Sequence, residues 1–244
     1  MFTTNGMTWS QSFGGVWHFS EAVAGGGIRK DSGRYGNHGT FQDANASSTA
    51  GTLAGPLARA NYLSGDADFV NVQHHTSIQP LSAVTCELWA RSSPSTWNAD
   101  GCLVSRRDVY IMHPNSGSRS MTFHLSAPGY YGVTYTPPDI TNWHYYAGTY
   151  DGATLRFFFD GLPVNAAAAG SPPIRADTGF LTFGRDDGLA RYLNGWLDEI
   201  RISPVARSTN WIWATWFNQA SNRTFIAYDP IEDVMRYGSV FSIR

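Results

Sequence analysis

Apolar and polar residues alternate over short stretches of this chain with the period of two that a β-strand imposes. The pattern is clearest in residues 154–160, where Leu155, Phe157 and Phe159 fall on one face and Arg156, Phe158 and Asp160 on the other. Asp151-Gly152 and Asp160-Gly161 bound that run, and Asp-Gly pairs are strong hairpin signals because both residues tolerate positive φ. In residues 84–91 the same period puts Glu87, Trp89 and Arg91 on one face. The period changes near the end. Ser208 is a good helix N-cap, and residues 209–219 read as a short helix. Trp213 and Phe217, four residues apart, share a second helical face. These elements predict an all-β chain, an antiparallel β-sandwich with a short C-terminal helix.

Composition sharpens this picture. Charged residues are 15% and aromatic residues 14%, and 25 Gly with 12 Pro favour many short strands joined by tight turns. At 244 residues the chain suits one large sandwich around a single core. A formal charge of -2, with no basic cluster beyond Arg106-Arg107, argues against nucleic acid as a partner. No apolar run is long enough to span a membrane, so no membrane partner is expected. Met1-Phe2-Thr3-Thr4 shows neither the basic region nor the apolar core of a signal peptide. Cys86 and Cys102 are expected to be free buried thiols, although a bridge is conceivable if their strands are neighbours.

Residues 142–208 carry NWHYYAGTYDGATLRFFFDGLPV and, after a spacer, FLTFGRDDGLARYLNGWLDEIRISPVARS. Taken whole, this resembles the closing half of the LamG-like domains of the concanavalin A-like lectin and glucanase group. The opening half agrees, with Val16-Trp17-His18-Phe19, Asp31-Ser32, Asn37-His38-Gly39-Thr40 and the strand pair containing Tyr62, Leu63, Gly65, Asp66, Asp68, Phe69 and Val70. The resemblance runs from about Val16 to Tyr228 and implies a jelly-roll sandwich over 1–228, with its first strand from about residue 9 and, at about 208–219, a helix that seals the sandwich with Trp211, Ile212 and Trp216. Residues 229–244 then form a C-terminal extension. The tail, from Ala206-Arg207-Ser208 to Asn218-Gln219, is similar to a subgroup found in multidomain bacterial surface proteins.

The group includes glycosidases, which need two carboxyl groups about 5–5.5 Å apart when they retain configuration. Only Glu21, Glu87, Glu199 and Glu232 are glutamates, none in an E-x-D-x-x-E pattern, and adjacent Asp198 and Glu199 diverge in a strand. Glu87, the best-placed single acid, reads as a structural ion-pair partner. No enzymatic activity is expected. His74-His75 lacks a partner pair at zinc spacing, and His18, His124 and His144 read as satisfied core or sheet-surface imidazoles. By resemblance, one structural calcium ion would take the carboxylate of Asp198 and oxygens from the turn of Asp31 and Asn37. Without metal, Asp198 would staple the same turn by accepting its amides.

Carbohydrate sites place aromatic rings against sugar faces, with Asp, Asn and Arg at the hydroxyls. Trp97 and Asn98 in one loop, Tyr130 and Tyr131 in another, and Arg185 and Asp187 in a third would form such a rim at one end of the sandwich. The alternative is that these aromatics are plugs closing that end. Trp213 and Phe217, with Tyr237 and Phe241 of the extension, form a candidate interface; the extension either folds over the helix or reaches a neighbouring subunit. The leading expectation is a non-catalytic carbohydrate-binding or adhesion module, serving as a structural or decoration component of a larger particle such as a phage capsid or tail surface. Its partners would be a glycan and other structural subunits or its own copies, at a virion surface or, by family resemblance, outside the cell. The competing expectations are a purely structural assembly protein that binds no sugar and a polysaccharide-degrading enzyme with an unfamiliar site.

Overall fold

The computed structural model describes residues 9, 12–21, 27–43, 50–57, 59–98, 100–186 and 189–221. Among them the chain forms two eight-stranded antiparallel sheets and one α-helix, a jelly-roll sandwich. The first sheet runs in the order β14 (Leu162–Ala168), β13 (Thr154–Phe159), β12 (His144–Tyr150), β7 (Val84–Ser92), β16 (Asn194–Ser203), β5 (Arg59–Ser64) and β4 (Ala50–Ala54). β1 (Gly15–Trp17) also pairs with β16, at its C-terminal part. The second sheet runs β11 (Tyr130–Tyr135), β10 (Met121–Ser126), β9 (Tyr110–Pro114), β8 (Val104–Arg106), β15 (Leu181–Phe183), β6 (Phe69–Val72), β3 (Gly39–Gln42) and β2 (Ile28–Arg29).

The period of two becomes an inner and an outer face on each strand. From β7, Val84, Cys86, Leu88 and Ala90 enter the core between the sheets, as do Leu155, Phe157 and Phe159 of β13. The second sheet answers with Met112, Met121, Phe123 and Leu125. Each such side chain contributes about 1.5–3 kcal/mol when fully buried. Cys86 and Cys102 are both free and buried; one lies on β7 of the first sheet and the other just precedes β8 of the second. Burial pushes both thiols up, out of the range of reactive cysteines.

The outer face of the first sheet is itself covered. Trp89, Tyr145 and Phe158 form a second apolar cluster with Ile212 of α1 (Thr209–Ala220). The helix starts where the sequence predicts, with the Ser208 hydroxyl accepting from the amide of Trp211 at 3.2 Å. Gln219 in its last turn accepts a hydrogen bond from the Trp89 indole. Asp160 and Gly161 make the predicted turn, with φ of 46° and 76°. Gly161 has a further reason to lack a side chain: a Cβ there would stand 2.7 Å from the Trp216 ring, so the turn fits directly beneath the helix.

One expectation for the helix needs adjustment. Trp216 packs on the sheet as expected, but Trp211 is 41% exposed and lies under the Arg207 guanidinium, 4.2 Å from its ring, instead of entering the seal. Trp213 is 43% exposed and stacks flat on half-buried Phe217, with ring centroids 5.0 Å apart. Tyr237, Phe241 and the whole 229–244 extension lie outside the described residues. No helix among the described residues is long and apolar enough to cross a membrane.

Candidate functional site

The residues of the predicted rim separate into fixtures and one free ring. Trp97 is 1% exposed, packs edge-on to Tyr146 in the core and donates its indole N–H to the carbonyl of Arg119. It is therefore a plug closing the end of the sandwich and presents no face to a sugar. Asn98 is a staple: its Oδ1 accepts from the amide of Asn194 and its Nδ2 donates to the carbonyl of Tyr192. Tyr131 packs against the core. Arg185 lies over the Phe69 ring at 4.5 Å and donates through Nε to the Leu189 carbonyl. Asp187 lies outside the described residues. Tyr130 alone of the predicted aromatics stands out, 74% exposed, with its hydroxyl donating to Asp108 Oδ1 at 3.0 Å.

Tyr130 marks one end of the outer face of the second sheet. It is in register with Ser126, which by alternation lies on the face away from the core. Asp108 reaches it from the tight turn between β8 and β9, where Asp108 has a φ of 63°, a conformation Asp tolerates better than most residues. Ala127 and Pro128, just before Tyr130 in the chain, line a shallow depression of about 360 Å³ with Pro173, Ile174 and Arg175. The Arg175 guanidinium stands 4.0 Å from Asp108. Arg107, next to Asp108 in the turn, grips Asp186 with both carboxylate oxygens at 2.6–2.7 Å, and Arg191 approaches the same carboxylate at 3.4 Å.

Register defines the rest of this face. One row runs Asn71, Thr182, Ser105, Ile111, His124 and Gly132 across successive strands. The next row carries His113, Thr122 and Thr134. His113 and His124 are thus diagonal neighbours on β9 and β10, and their rings meet edge to face with centroids 5.7 Å apart. Burial holds both imidazoles below their usual range, against the pull of Asp100 and Asp186 at His113 and with the help of His113 at His124. Neither ring makes a hydrogen bond to another described residue, and His113 Nδ1 is shut off from solvent without a partner. An unsatisfied buried nitrogen costs about 1–3 kcal/mol and is retained where something other than stability requires it. His124 is thus a sheet-surface imidazole, one of the two readings its sequence context gave. Period two gives its face, but only the pairing of β9 with β10 reveals that His113 lies beside it.

The predicted calcium donors do not converge as a set. Asp31 accepts from the amides of Val16, Gly33 and Asn37, and Asn37 donates to the Gly14 carbonyl and the Ser77 hydroxyl. The amide staple is therefore made by Asp31 and not by Asp198. Asp198 sits at a bulge in β16, fully buried, and accepts only from the Glu199 amide. Its Oδ2 has no partner and points at Gly55, where a Cβ would stand 2.2 Å away. Burial, then the neighbouring Glu199, pushes this carboxyl up to about 9. Asp198 thus keeps one carboxylate oxygen without a partner among the described residues, while Asp31 and Asn37 are already committed. No group of three or more His, Cys, Asp or Glu among the described residues could hold a metal.

Two further carboxyls resemble an acid and base pair in their titration but are sealed from solvent. Glu87 is fully buried, accepts from the Tyr145 hydroxyl at 2.7 Å, and is raised by burial despite Arg201. Burial works against ionisation of Glu199 as well, but its bonds to His18 and Arg201, both at 2.7 Å, outweigh that and hold it low. Glu87 lies on the helix-covered face with Trp89, so this network joins strands and opens onto no cleft.

Three comparisons bear on this arrangement. No curated protein matches the chain. Among solved structures, the binding domain of botulinum neurotoxin DC in complex with SialylT superposes with a TM-score of 0.65 at 11% identity, covering 86% of this chain and 52% of that one. A botulinum neurotoxin type C structure, described as dependent for cell entry on two ganglioside molecules, gives 0.66 at 11% identity, with 87% and 53% covered. The DC binding domain with rat synaptotagmin II gives 0.63 at 11% identity, with 85% and 52% covered. The chain spans about half the length of these solved chains, and at such identities the likeness establishes the fold. A family model described as concanavalin A-like lectin/glucanases superfamily matches residues 64–213. That stretch is more than half of the sequence and contains Tyr130, Asp108, His113 and His124, so the chain belongs to the concanavalin A-like lectin/glucanases superfamily.

Proposed function

We propose that this chain is a non-catalytic carbohydrate-binding module, used for attachment or display as part of a larger particle, with Tyr130 as its sugar platform. The observation that carries this reading is the Tyr130 ring, 74% exposed yet tethered at its hydroxyl by Asp108, the carboxylate that Arg175 also approaches. A planar ring with fixed hydrogen-bonding neighbours suits the apolar face and edge hydroxyls of a sugar. The structural neighbours lend support, since their names speak of SialylT and of ganglioside molecules. Their being binding domains agrees with a role in contact rather than turnover, as does the sealed Glu87–Glu199 network. The test is a glycan array with wild type and Tyr130→Ala. Binding that disappears in the variant with an unchanged melting curve supports the reading. An array on which wild type binds nothing, or release of reducing ends from a polysaccharide by clean protein, overturns it.

One structural calcium ion belongs to this proposal. Asp198 would hold it through the buried Oδ2 that has no protein partner, and the ion would supply the charge that lets the carboxyl ionise there.

A second reading, a structural assembly module that binds no sugar, is favoured by the exposed Trp211 and Trp213 on α1. Two indoles on one short helix are the residue type that anchors protein contacts.

A further inference from the structure

We infer that the glycan taken by the outer face of the second sheet is an uncharged one, its hydroxyls bonded by the imidazoles of His113 and His124. This rests on reading the chain as a carbohydrate-binding module and names the chemical class of its ligand. By register, His124 and Ser126 are successive outward positions of β10, and Tyr130 stands opposite Ser126. The imidazole of His124 is therefore about 7 Å along the strand from the Tyr130 end of the face, close enough for one oligosaccharide to touch both.

The charged groups around this face are already engaged with one another. Arg107 and Arg191 share Asp186, Arg175 and the Tyr130 hydroxyl share Asp108, and Arg185 lies on the Phe69 ring. Asp100 accepts from the Ser116 amide. What is left without a hydrogen-bond partner among the described residues of this face is neutral: the two imidazoles, Asn71 Oδ1 and the Oγ of Ser105, the last fully buried. A neutral imidazole offers one donor and one acceptor, which matches a hydroxyl, itself both donor and acceptor. A carboxylated sugar would have to compete with Asp186 for Arg107 and Arg191 and with Asp108 for Arg175. Gly132 keeps the floor open, because a Cβ at that position would stand 3.1 Å from both His124 Nδ1 and Thr122 Cγ2. A transition metal is the other ligand two imidazoles attract, but no third metal-ligating side chain joins them among the described residues.

This arrangement also sets a pH dependence. His113 faces Asp100, Asp186, Arg191 and His124, while His124 faces His113 across β9 and only Gly132 across β11. A bound sugar removes more water from both rings and so favours their neutral forms further. Affinity is then full above the titration of the free imidazoles and falls as pH drops through it, below about 6.5, by about tenfold per pH unit for each imidazole that must lose its proton.

The experiment is calorimetric titration of the whole chain with a neutral β-glucan, a neutral mannan and polygalacturonate at about pH 7.5 and about pH 5. Expected is binding of a neutral polymer at the higher pH and weaker binding at the lower, with the pH dependence flattened in His113→Gln and His124→Gln. Melting curves are recorded for each. Gly132→Ala, which alters no histidine, is expected to weaken binding about tenfold at an unchanged melting midpoint, and it carries the test if a histidine variant fails to fold. Binding confined to polygalacturonate, affinity indifferent to pH, or affinity unchanged in all three variants overturns the inference while leaving the module reading intact. A melting shift with Zn2+ alone that His124→Gln abolishes makes the pair a metal site and also overturns it. If no polymer binds at all, both readings fall together.

Discussion

Asp198 shows how one side chain can decide between two chemical states of the molecule. Its carboxyl is raised to about 9, first by burial and then by Glu199, whereas in an unfolded chain it titrates near 4. A carboxyl whose folded value is raised binds its proton more tightly when folded. Its contribution to stability is therefore fully present below about pH 4 and is lost as pH rises towards about 9. Without metal, wild type is expected to lose stability between about pH 5 and pH 8 relative to Asp198→Asn, whose neutral amide feels no such penalty. The proposed calcium ion is expected to reverse the comparison, because a cation at Oδ2 would favour the carboxylate and give wild type a ligand-dependent rise that the variant lacks. Thermal melts of both proteins, with calcium and with chelator at these two pH values, decide the matter. Equal midpoints for wild type in calcium and chelator at about pH 8 would sink the calcium site while leaving the pH comparison standing.

The same scale explains what was legible in the candidate site. Trp97 and Tyr130 both sit in polar, Gly- or Pro-flanked stretches and look alike as residues, yet one is a buried plug and the other an open platform. What separates them is the partner of the polar atom: a carbonyl inside the fold for Trp97, a carboxylate on a surface turn for Tyr130. Neither partner is near in sequence, so local pattern could not assign them. His113 and His124 were hidden for the same reason, being eleven positions apart in sequence and joined only by the β9–β10 register.

Elements were far more legible than sites, because their signals are local. Alternation fixed both faces of β13, and Asp160-Gly161 fixed the turn after it. Pattern could not show that the outward Phe158 would also be buried, since that needs α1 to lie over it. The helix is held by its cap and by one polar latch, which can be tested separately. Ser208→Ala removes the bond to the Trp211 amide and is expected to cost about 1 kcal/mol. Gln219→Ala leaves the buried Trp89 indole N–H unpaired and is expected to cost more, about 1–3 kcal/mol. In a chain of this size each kcal/mol lowers the melting midpoint by about 2–4 °C, within reach of calorimetry. If Gln219→Ala melts with wild type, the latch contributes nothing and the apolar cluster alone holds the helix.

At the scale of the whole molecule the two sheets have unlike outer faces. The first is covered in part by α1, whose own outer side carries Trp211 and Trp213; the second carries the exposed Tyr130 and the half-buried imidazole pair. A core of packed side chains separates these surfaces, and sites that share no partner act additively. A module that both holds a sugar and sits in a larger particle needs such a division, since a ligand and a neighbouring subunit cannot cover the same face. Trp213→Glu is therefore expected to leave glycan affinity within about twofold of wild type, because it touches nothing on the second sheet. Light scattering at micromolar concentration reads the other surface. A wild-type oligomer that Trp213→Glu reduces to monomer, with glycan affinity retained, assigns assembly to the helix side. Loss of glycan binding in a folded Trp213→Glu protein would mean that the two faces are coupled, and the division of labour between the sheets would have to be abandoned.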